Sequence, residues 1–343
     1  MAKRVIFDKK NILITGGAGF LGSHLCDRLL QENRVICLDN FLTSKEENIN
    51  HLLVNPDFEF IRHDLTEPIN LEELPELKDF KIAFQGLQEI YHLACPTSPR
   101  DYEKYPIETL LANAYATRNA LEMAKKYQSK FILFSSSTIY GEILDLKNVY
   151  INEDYWGYIN PVGEKSCYDE GKRFAESLTY NYQKVHQLEV RIARIWNTYG
   201  PRMRLYDGRM IPDLISQAIN NESLIISGDI DKLNSYCYVT DLIEGIIRLA
   251  KSRVGEPINI GNPEGSKLRE VAQKIIDFSG SKSKLIIKEE EAGQYSIKQS
   301  LPDITRAKQK LGWFPIINLN DGLKKTIEYM QGLKAVSLES FKF

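Results

Sequence analysis

The stretch Ile12-Leu13-Ile14-Thr15-Gly16-Gly17-Ala18-Gly19-Phe20-Leu21-Gly22 decides the fold. A short apolar run enters a glycine cluster, and residues 23–31 continue with helical spacing. A glycine spacing alone is a weak signal; between a strand and a helix it reads as a dinucleotide-binding turn. Gly16 allows the tight turn, Gly19 lets backbone approach a pyrophosphate, and Gly22 lets helix and strand pack closely. Phe20 and Leu21 complete the turn that opens the helix, whose first N–H groups and partial positive charge face the phosphates. The second strand, Val35-Ile36-Cys37-Leu38, runs into Asp39 and Asn40. An acid at that position accepts hydrogen bonds from both adenosine ribose hydroxyls and repels a 2′-phosphate, so the expected cofactor is NAD rather than NADP. Asp64 and Leu65, after a third strand, are placed near the adenine, and Leu93 and Ala94, ending a fourth, line the same site.

Outward from this turn, apolar runs alternate with amphipathic stretches. Phe58-Glu59-Phe60-Ile61, Glu89-Ile90-Tyr91-His92-Leu93, Phe131-Ile132-Leu133-Phe134 and Val190-Arg191-Ile192-Ala193 read as strands, and residues 107–127 and 169–186 as helices. This alternation predicts an α/β fold, a Rossmann-type doubly wound parallel sheet covered on both faces. After Asn197 the regularity breaks into turn-rich segments, a strand within 257–263, and helices over 267–280 and 319–331. The expected organisation is a nucleotide-binding domain over 1–195, with the chain returning to it near 236–252. A smaller mixed α/β lobe makes up most of 196–343. The run Lys288-Glu289-Glu290-Glu291 reads as a solvated loop.

Composition narrows the chemistry. In 343 residues, 44 basic and 46 acidic side chains leave a formal charge of -2, so neither nucleic acid nor an anionic membrane is an expected partner. No apolar run reaches the roughly 20 residues of a membrane span, and the start lacks a signal-peptide core, so the expected location is the cytoplasm. Five cysteines without a C-x-x-C pair and five scattered histidines predict neither a disulfide framework nor a metal site.

Tyr168 and Lys172 stand four apart, on one face of a helix. Ser135-Ser136-Ser137-Thr138 follows a buried strand, at the carboxyl edge where open α/β sheets bind ligands. Together they form a proton-transfer device. A tyrosinate at neutral pH needs a pKa about three units below its usual value near 10, roughly 4 kcal/mol. The Lys172 ammonium and an oxidised nicotinamide push in that direction. Ser136 orients a substrate hydroxyl, and Tyr168 removes its proton as hydride leaves the same carbon.

These residues resemble the extended short-chain dehydrogenase/reductase family over nearly the whole chain. Four segments are most similar to its UDP-glucuronate decarboxylase (UDP-xylose synthase) group. They are His92-Leu93-Ala94-Cys95-Pro96-Thr97-Ser98-Pro99, Tyr155-Trp156-Gly157-Tyr158-Ile159-Asn160-Pro161-Val162-Gly163, Ser166-Cys167-Tyr168-Asp169-Glu170-Gly171-Lys172-Arg173, and the run from Arg191 through Trp196-Asn197-Thr198-Tyr199-Gly200-Pro201-Arg202-Met203. The resemblance implies a nucleotide-diphosphate sugar substrate, a UDP-sugar first, and a tightly held, recycled NAD. It places Pro96, Ser137, Thr138, Asn197, Arg202, Arg209 and Asn234 at the substrate. It also implies a homodimer packed through the helices near 107–127 and 169–186.

Three positions depart from the decarboxylase pattern. The Glu after the Ser/Thr pair is Thr138, the Arg before Pro-Asp-Ile is Ser300, and the Arg before Tyr238-Val239-Thr240-Asp241 is Asn234. A neutral side chain gives up a charge-assisted bond worth about 1.5–3 kcal/mol, which Arg202, Arg204 or Arg209 are positioned in sequence to replace. Oxidation at C4 needs only Ser136, Tyr168, Lys172 and NAD. A 4-epimerase or a C4 dehydrogenase is therefore the alternative outcome. A 4,6-dehydratase, which wants an Asp–Glu pair at Ser137 and Thr138, and a non-catalytic NAD-binding sensor rank below these.

Overall fold

In the computed structural model, residues 8–141, 149–288 and 300–340 are described. Seven parallel strands form the central sheet: β1 (Asn11–Thr15), β2 (Arg34–Asp39), β3 (Phe58–Arg62), β4 (Glu89–His92), β5 (Lys130–Ser136), β6 (Val190–Ile195) and β7 (Ile258–Ile260), in the order β7-β6-β5-β4-β1-β2-β3. Alternation along each strand splits its side chains between two cores. Ile12, Ile14, Val35, Cys37, Ile132 and Phe134 join the core on one face. Leu13, Ile36, Leu38, Phe131 and Leu133 join the other. The expected doubly wound parallel sheet is borne out.

Helix α1 (Phe20–Leu30) begins three residues before the sequence pattern placed it, because Gly19 already serves as its cap. The long helix expected from 107 runs from Pro106 to Tyr127 but contains a π-helical segment, Ala112–Ala116; its last part is α2 (Thr117–Tyr127). Helix α3 (Ser166–His186) carries the Tyr–Lys pair and crosses close to this π segment. A Cβ on Gly171 would lie 2.8 Å from Asn113 Nδ2, so a larger residue there would have to push the Asn113 amide aside.

The return of the chain is longer than 236–252. Helix α4 (Val239–Lys251) covers the sheet, and the following strand β7 completes it by pairing Ile258–Ile260 with Ala193–Ile195. The strand expected within 257–263 is thus the edge of the main sheet. Conversely, Tyr150–Ile151 pairs with Leu301–Pro302, away from that sheet. The rest is mixed. Leu224–Ser227 pairs with Leu285–Lys288 in parallel, Leu233–Ser235 with Gly265–Lys267 antiparallel, and helices Met210–Ile219, Leu268–Ser279, Thr305–Leu311 and Leu319–Ser340 pack around them. The last helix runs nine residues beyond the Gln331 at which its sequence pattern stops. Of the charged run starting at Lys288, residues 289–291 lie outside the described residues. Residues 1–7, on which the signal-peptide reading bears, do so as well. Among the described residues no helix is long and apolar enough to cross a membrane.

Candidate active site

The carboxyl ends of β1, β2, β4, β5 and β6 open into one cleft of about 840 Å³. Every residue singled out above as a site residue lines it: Gly16, Gly19, Phe20, Leu21, Gly22, Asp39, Asn40, Asp64, Leu65, Leu93, Ala94, Pro96, Ser136, Ser137, Thr138, Tyr168, Lys172, Asn197, Arg202, Arg209 and Asn234, with Ser300 on the rim. Residues far apart in sequence are brought together because parallel strands deliver all their following loops to one edge.

The glycine turn is held by backbone. Gly16 adopts φ +71°, its N–H donates to Leu38 O at 2.8 Å, and a Cβ there would sit 2.9 Å from Ala94 N. At Gly22 a Cβ would meet Gly16 O at 2.2 Å. Helix α1 starts at Phe20 with no side-chain cap, leaving its first-turn donors to an anion in the cleft. These features fit a dinucleotide pyrophosphate.

Asp39 is more committed than its sequence position implies. Its Oδ2 accepts from Ala18 N–H at 3.1 Å, and its Oδ1 from Phe41 N–H at 2.9 Å and the Ser44 hydroxyl at 2.7 Å. Three of a carboxylate's roughly four acceptor positions are taken. Burial pushes its carboxyl pKa up, and the Ser44, Phe41 and Ala18 bonds oppose that rise. Asp64 organises the next loop, accepting from Asn40 Nδ2 at 3.0 Å and from the Thr66 backbone N–H and hydroxyl. Partial burial works to raise its pKa, but the Thr66 and Asn40 bonds outweigh it and the net shift is downward.

Tyr168 and Lys172 face β5 from α3 and both are buried. The Tyr168 ring stacks on Tyr102 at 5.5 Å between centroids. The Lys172 Nζ donates to Phe134 O at 3.0 Å and lies 5.9 Å from the Tyr168 ring centroid. Ser135 donates to Glu176 Oε1 at 2.5 Å, whereas Ser136 Oγ, one residue on, accepts from the Thr138 N–H at 3.3 Å and the Thr138 hydroxyl at 3.2 Å. Both serines line the cleft; Ser135 is tied to Glu176, whereas Ser136 faces Thr138. One electrostatic expectation is corrected. Burial raises the Tyr168 pKa well above its ordinary value, Cys95 adds to the rise, and Ser136 and Arg209 offset only part of it. The Lys172 ammonium is spent on a carbonyl, so the protein by itself does not acidify the phenol. Burial, with Lys172 beside it, keeps His92 neutral and lowers its pKa to about 3. His92 is a core residue between Thr15 and Thr117.

The arginines proposed to replace lost charge all line the cleft, and each already pairs with a carboxylate: Arg202 with Asp27 at 2.6 Å, Arg204 with Asp101, Arg209 with Asp207 at 2.8 Å. Arg209 also donates to the Thr97 hydroxyl at 2.6 Å. It acts electrostatically on Tyr168, which sets it toward the reaction centre. Arg202 retains a buried Nη1 without a hydrogen-bond partner. The Asn234 side-chain amide donates a long bond, 3.4 Å, to Lys232 O, and Asn197 O accepts from Cys237 N–H. Sequence reasoning missed Thr97, Tyr102 and Asp169. Thr97 and Asp169 sit inside quoted segments, but nothing in their spacing marks them.

Comparison with known proteins agrees with this geometry. Residues 13–326 match the family model described as GDP-mannose 4,6 dehydratase. The chain is 42% identical over 323 residues to UDP-glucuronic acid decarboxylase 1 of Danio rerio, covering 94% of this chain and 73% of that protein. It is likewise 42% identical over 314 residues to UDP-glucuronic acid decarboxylase 6 of Arabidopsis thaliana, covering 91% and 86%. Among solved structures, UDP-glucuronic acid 4-epimerase from Bacillus cereus in complex with NAD superposes with a TM-score of 0.77 at 30% identity, covering 94% of this chain and 99% of that one.

Proposed function

This chain belongs to the GDP-mannose 4,6 dehydratase family, within the extended short-chain dehydrogenases/reductases, and on that premise we propose that it is an NAD-dependent decarboxylase of UDP-glucuronic acid that works through oxidation at C4. The observation that carries the chemistry is the convergence of Ser136, Tyr168 and Lys172 with an uncapped glycine-turn helix in one cleft. Gly16, Gly19, Phe20, Leu21 and Gly22 would hold the pyrophosphate. Asp39 and Asn40 would hold the ribose, Asp64 and Leu65 the adenine side, and Leu93 and Ala94 the stretch leading to the nicotinamide. NAD held there would supply a hydride acceptor and, when oxidised, a positive charge.

That charge is what the buried phenol lacks. Tyr168 takes the C4 hydroxyl proton, Ser136 holds the same oxygen, and Lys172, fixed on Phe134 O, keeps a cation within reach of the ring. Once C4 is a ketone, the substrate carboxylate is β to a carbonyl and leaves as carbon dioxide. C5 takes up a proton, and Tyr168 then returns its own to O4 as the hydride removed earlier comes back to C4. Pro96, Ser137, Thr138, Asn197, Arg202, Arg209 and Asn234 bind the UDP-sugar, with the arginines exchanging their aspartates for diphosphate. Arg209→Ala is expected to raise KM for the nucleotide sugar roughly tenfold or more, the loss of one charge-assisted bond, measured by initial rates.

Surface chemistry supports a homodimer. Ile107, Tyr115, Phe174, Tyr180 and Val185 are more than half exposed along the helices at 106–127 and 166–186, an apolar stripe suited to a second copy in a homodimer. The cytoplasm, where thiols stay reduced, suits five free cysteines.

The test incubates purified protein with NAD and UDP-glucuronic acid and reads product by mass and NMR. Carbon dioxide release with a pentose product supports the proposal. Unchanged mass with inverted C4 would establish the 4-epimerase, which the threonine at 138 favours. A persistent ketone with stoichiometric reduced cofactor would establish a dehydrogenase.

A further inference from the structure

Loss of carbon dioxide changes the proton count of the site, and the inference drawn from it rests on the decarboxylase reading. Tyr168 takes one proton from the C4 hydroxyl and returns it to the same oxygen, so its own cycle closes. The substrate carboxylate leaves as neutral carbon dioxide, the C5–C6 electron pair stays on the sugar, and C5 gains a proton: R–COO⁻ + H⁺ → R–H + CO2. That proton comes from outside the Tyr168 cycle. The residue types at 138 and 300, Thr and Ser, are poor donors for it.

Among the described residues six carboxylates line the cleft, and five are otherwise engaged or placed. Asp39 is held by Ala18, Phe41 and Ser44, Asp64 by Asn40 and Thr66, Asp101 by Arg204, and Asp207 by Arg209. Glu108 is exposed on its helix. Asp169 differs. Its Oδ1 is buried with no hydrogen-bond partner, and the Thr138 hydroxyl is close enough to its carboxylate to oppose the rise in its pKa. Thr138 Oγ1 is also 3.2 Å from Ser136 Oγ, and Ser136 in turn acts on the Tyr168 phenol, opposing the rise in its pKa. We propose that Asp169 is the proton source of the site, passing its proton through the Thr138 hydroxyl to Ser136 and the sugar. Each hydroxyl gains one proton and gives one up, and Asp169 is recharged from solvent. It acts through its neighbours, so its role is that of a positioning and relay residue beside the Ser136–Tyr168–Lys172 centre.

The surroundings suit that role. Burial raises the Asp169 pKa to about 6; Thr138 and Lys165 oppose the rise, and Glu170 adds to it. From the facing helix Pro99–Lys104, Tyr102 is the titratable group that senses Asp169, and Tyr168 and Cys167 do so from its own helix. The donor form predominates below about 6 and is lost as pH rises through that value. A bound anionic substrate moves the midpoint upward.

The test measures kcat against pH for NAD-loaded protein with UDP-glucuronic acid, in water and in D2O, for wild type, Asp169→Asn, Thr138→Val and the double variant Asp169→Asn/Thr138→Glu. Wild type is expected to lose activity as pH rises above about 6, with solvent deuterium appearing at C5. Asp169→Asn and Thr138→Val are each expected to lower carbon dioxide release about 100-fold at neutral pH, to accumulate the ketone, and to lack the wild-type limb. The double variant is expected to recover about tenfold, because it returns a carboxylate to the relay. Wild-type protein that releases no carbon dioxide overturns this proposal together with the decarboxylase reading. Wild-type decarboxylation with an unaltered limb and rate in Asp169→Asn overturns the relay alone. If Asp169→Asn fails to retain NAD, the near-isosteric Thr138→Val decides, and a wild-type profile there overturns the relay.

Discussion

Tyr168→Phe is expected to fold, to keep its NAD, and to lose turnover by about 10³-fold, within the usual range for removing a general base. The substitution deletes one oxygen and leaves the ring that stacks on Tyr102, so packing of the buried side chain is retained. Cofactor content, read from the supernatant after heat denaturation, and melting temperature should stay near wild type while product formation collapses. Near-normal rates would remove Tyr168 from its assigned role. The pH dependence should carry a second signature. Because burial raises the phenol pKa in the cofactor-free protein, Tyr168 is protonated at neutral pH until NAD binds. A phenolate absorption band near neutral pH should therefore appear on adding oxidised NAD and be missing from Tyr168→Phe.

Gly22→Val should be more damaging to the whole protein. Even the first added carbon would stand 2.2 Å from Gly16 O and 2.7 Å from Gly17 Cα, backbone atoms of the turn that cannot swing aside. Relief requires α1 to move off β1, which opens the core around Leu25, Cys26 and Ile14 and withdraws the helix terminus from the phosphate position. Overpacking of this kind costs roughly 1–3 kcal/mol and often more when backbone is the obstacle. The expected result is protein that purifies without NAD, melts several degrees lower and has no turnover. Stoichiometric NAD in Gly22→Val would mean that α1 does not seat the pyrophosphate.

Much of the fold and site was readable from neighbours along the chain. The Gly16–Gly22 turn, the Tyr168–Lys172 face and the strand–helix alternation depend on spacings of a few residues, and local geometry converts those spacings directly into shape. Asp39 was legible as the end of β2, but its Ser44 clamp was not, since a loop five residues on had to fold back over it. The same limit explains the arginines. Their sequence positions suggested available charge, while Asp27, Asp101 and Asp207 reach them across the cleft or the turn.

From the sequence alone come the parallel α/β class, the NAD-type turn, the Ser–Tyr–Lys chemistry and the nucleotide-sugar resemblance, because each rests on periodicity or on a short motif. Tertiary structure alone decides that Ser135 is paired with Glu176, that Lys172 is anchored on Phe134 O, that Ile258–Ile260 closes the sheet, and that Asp169 keeps a buried oxygen unpartnered. The physical reason is common to all four. Burial and pairing are properties of atoms brought close by the sheet, and their separation in sequence carries no record of which groups meet.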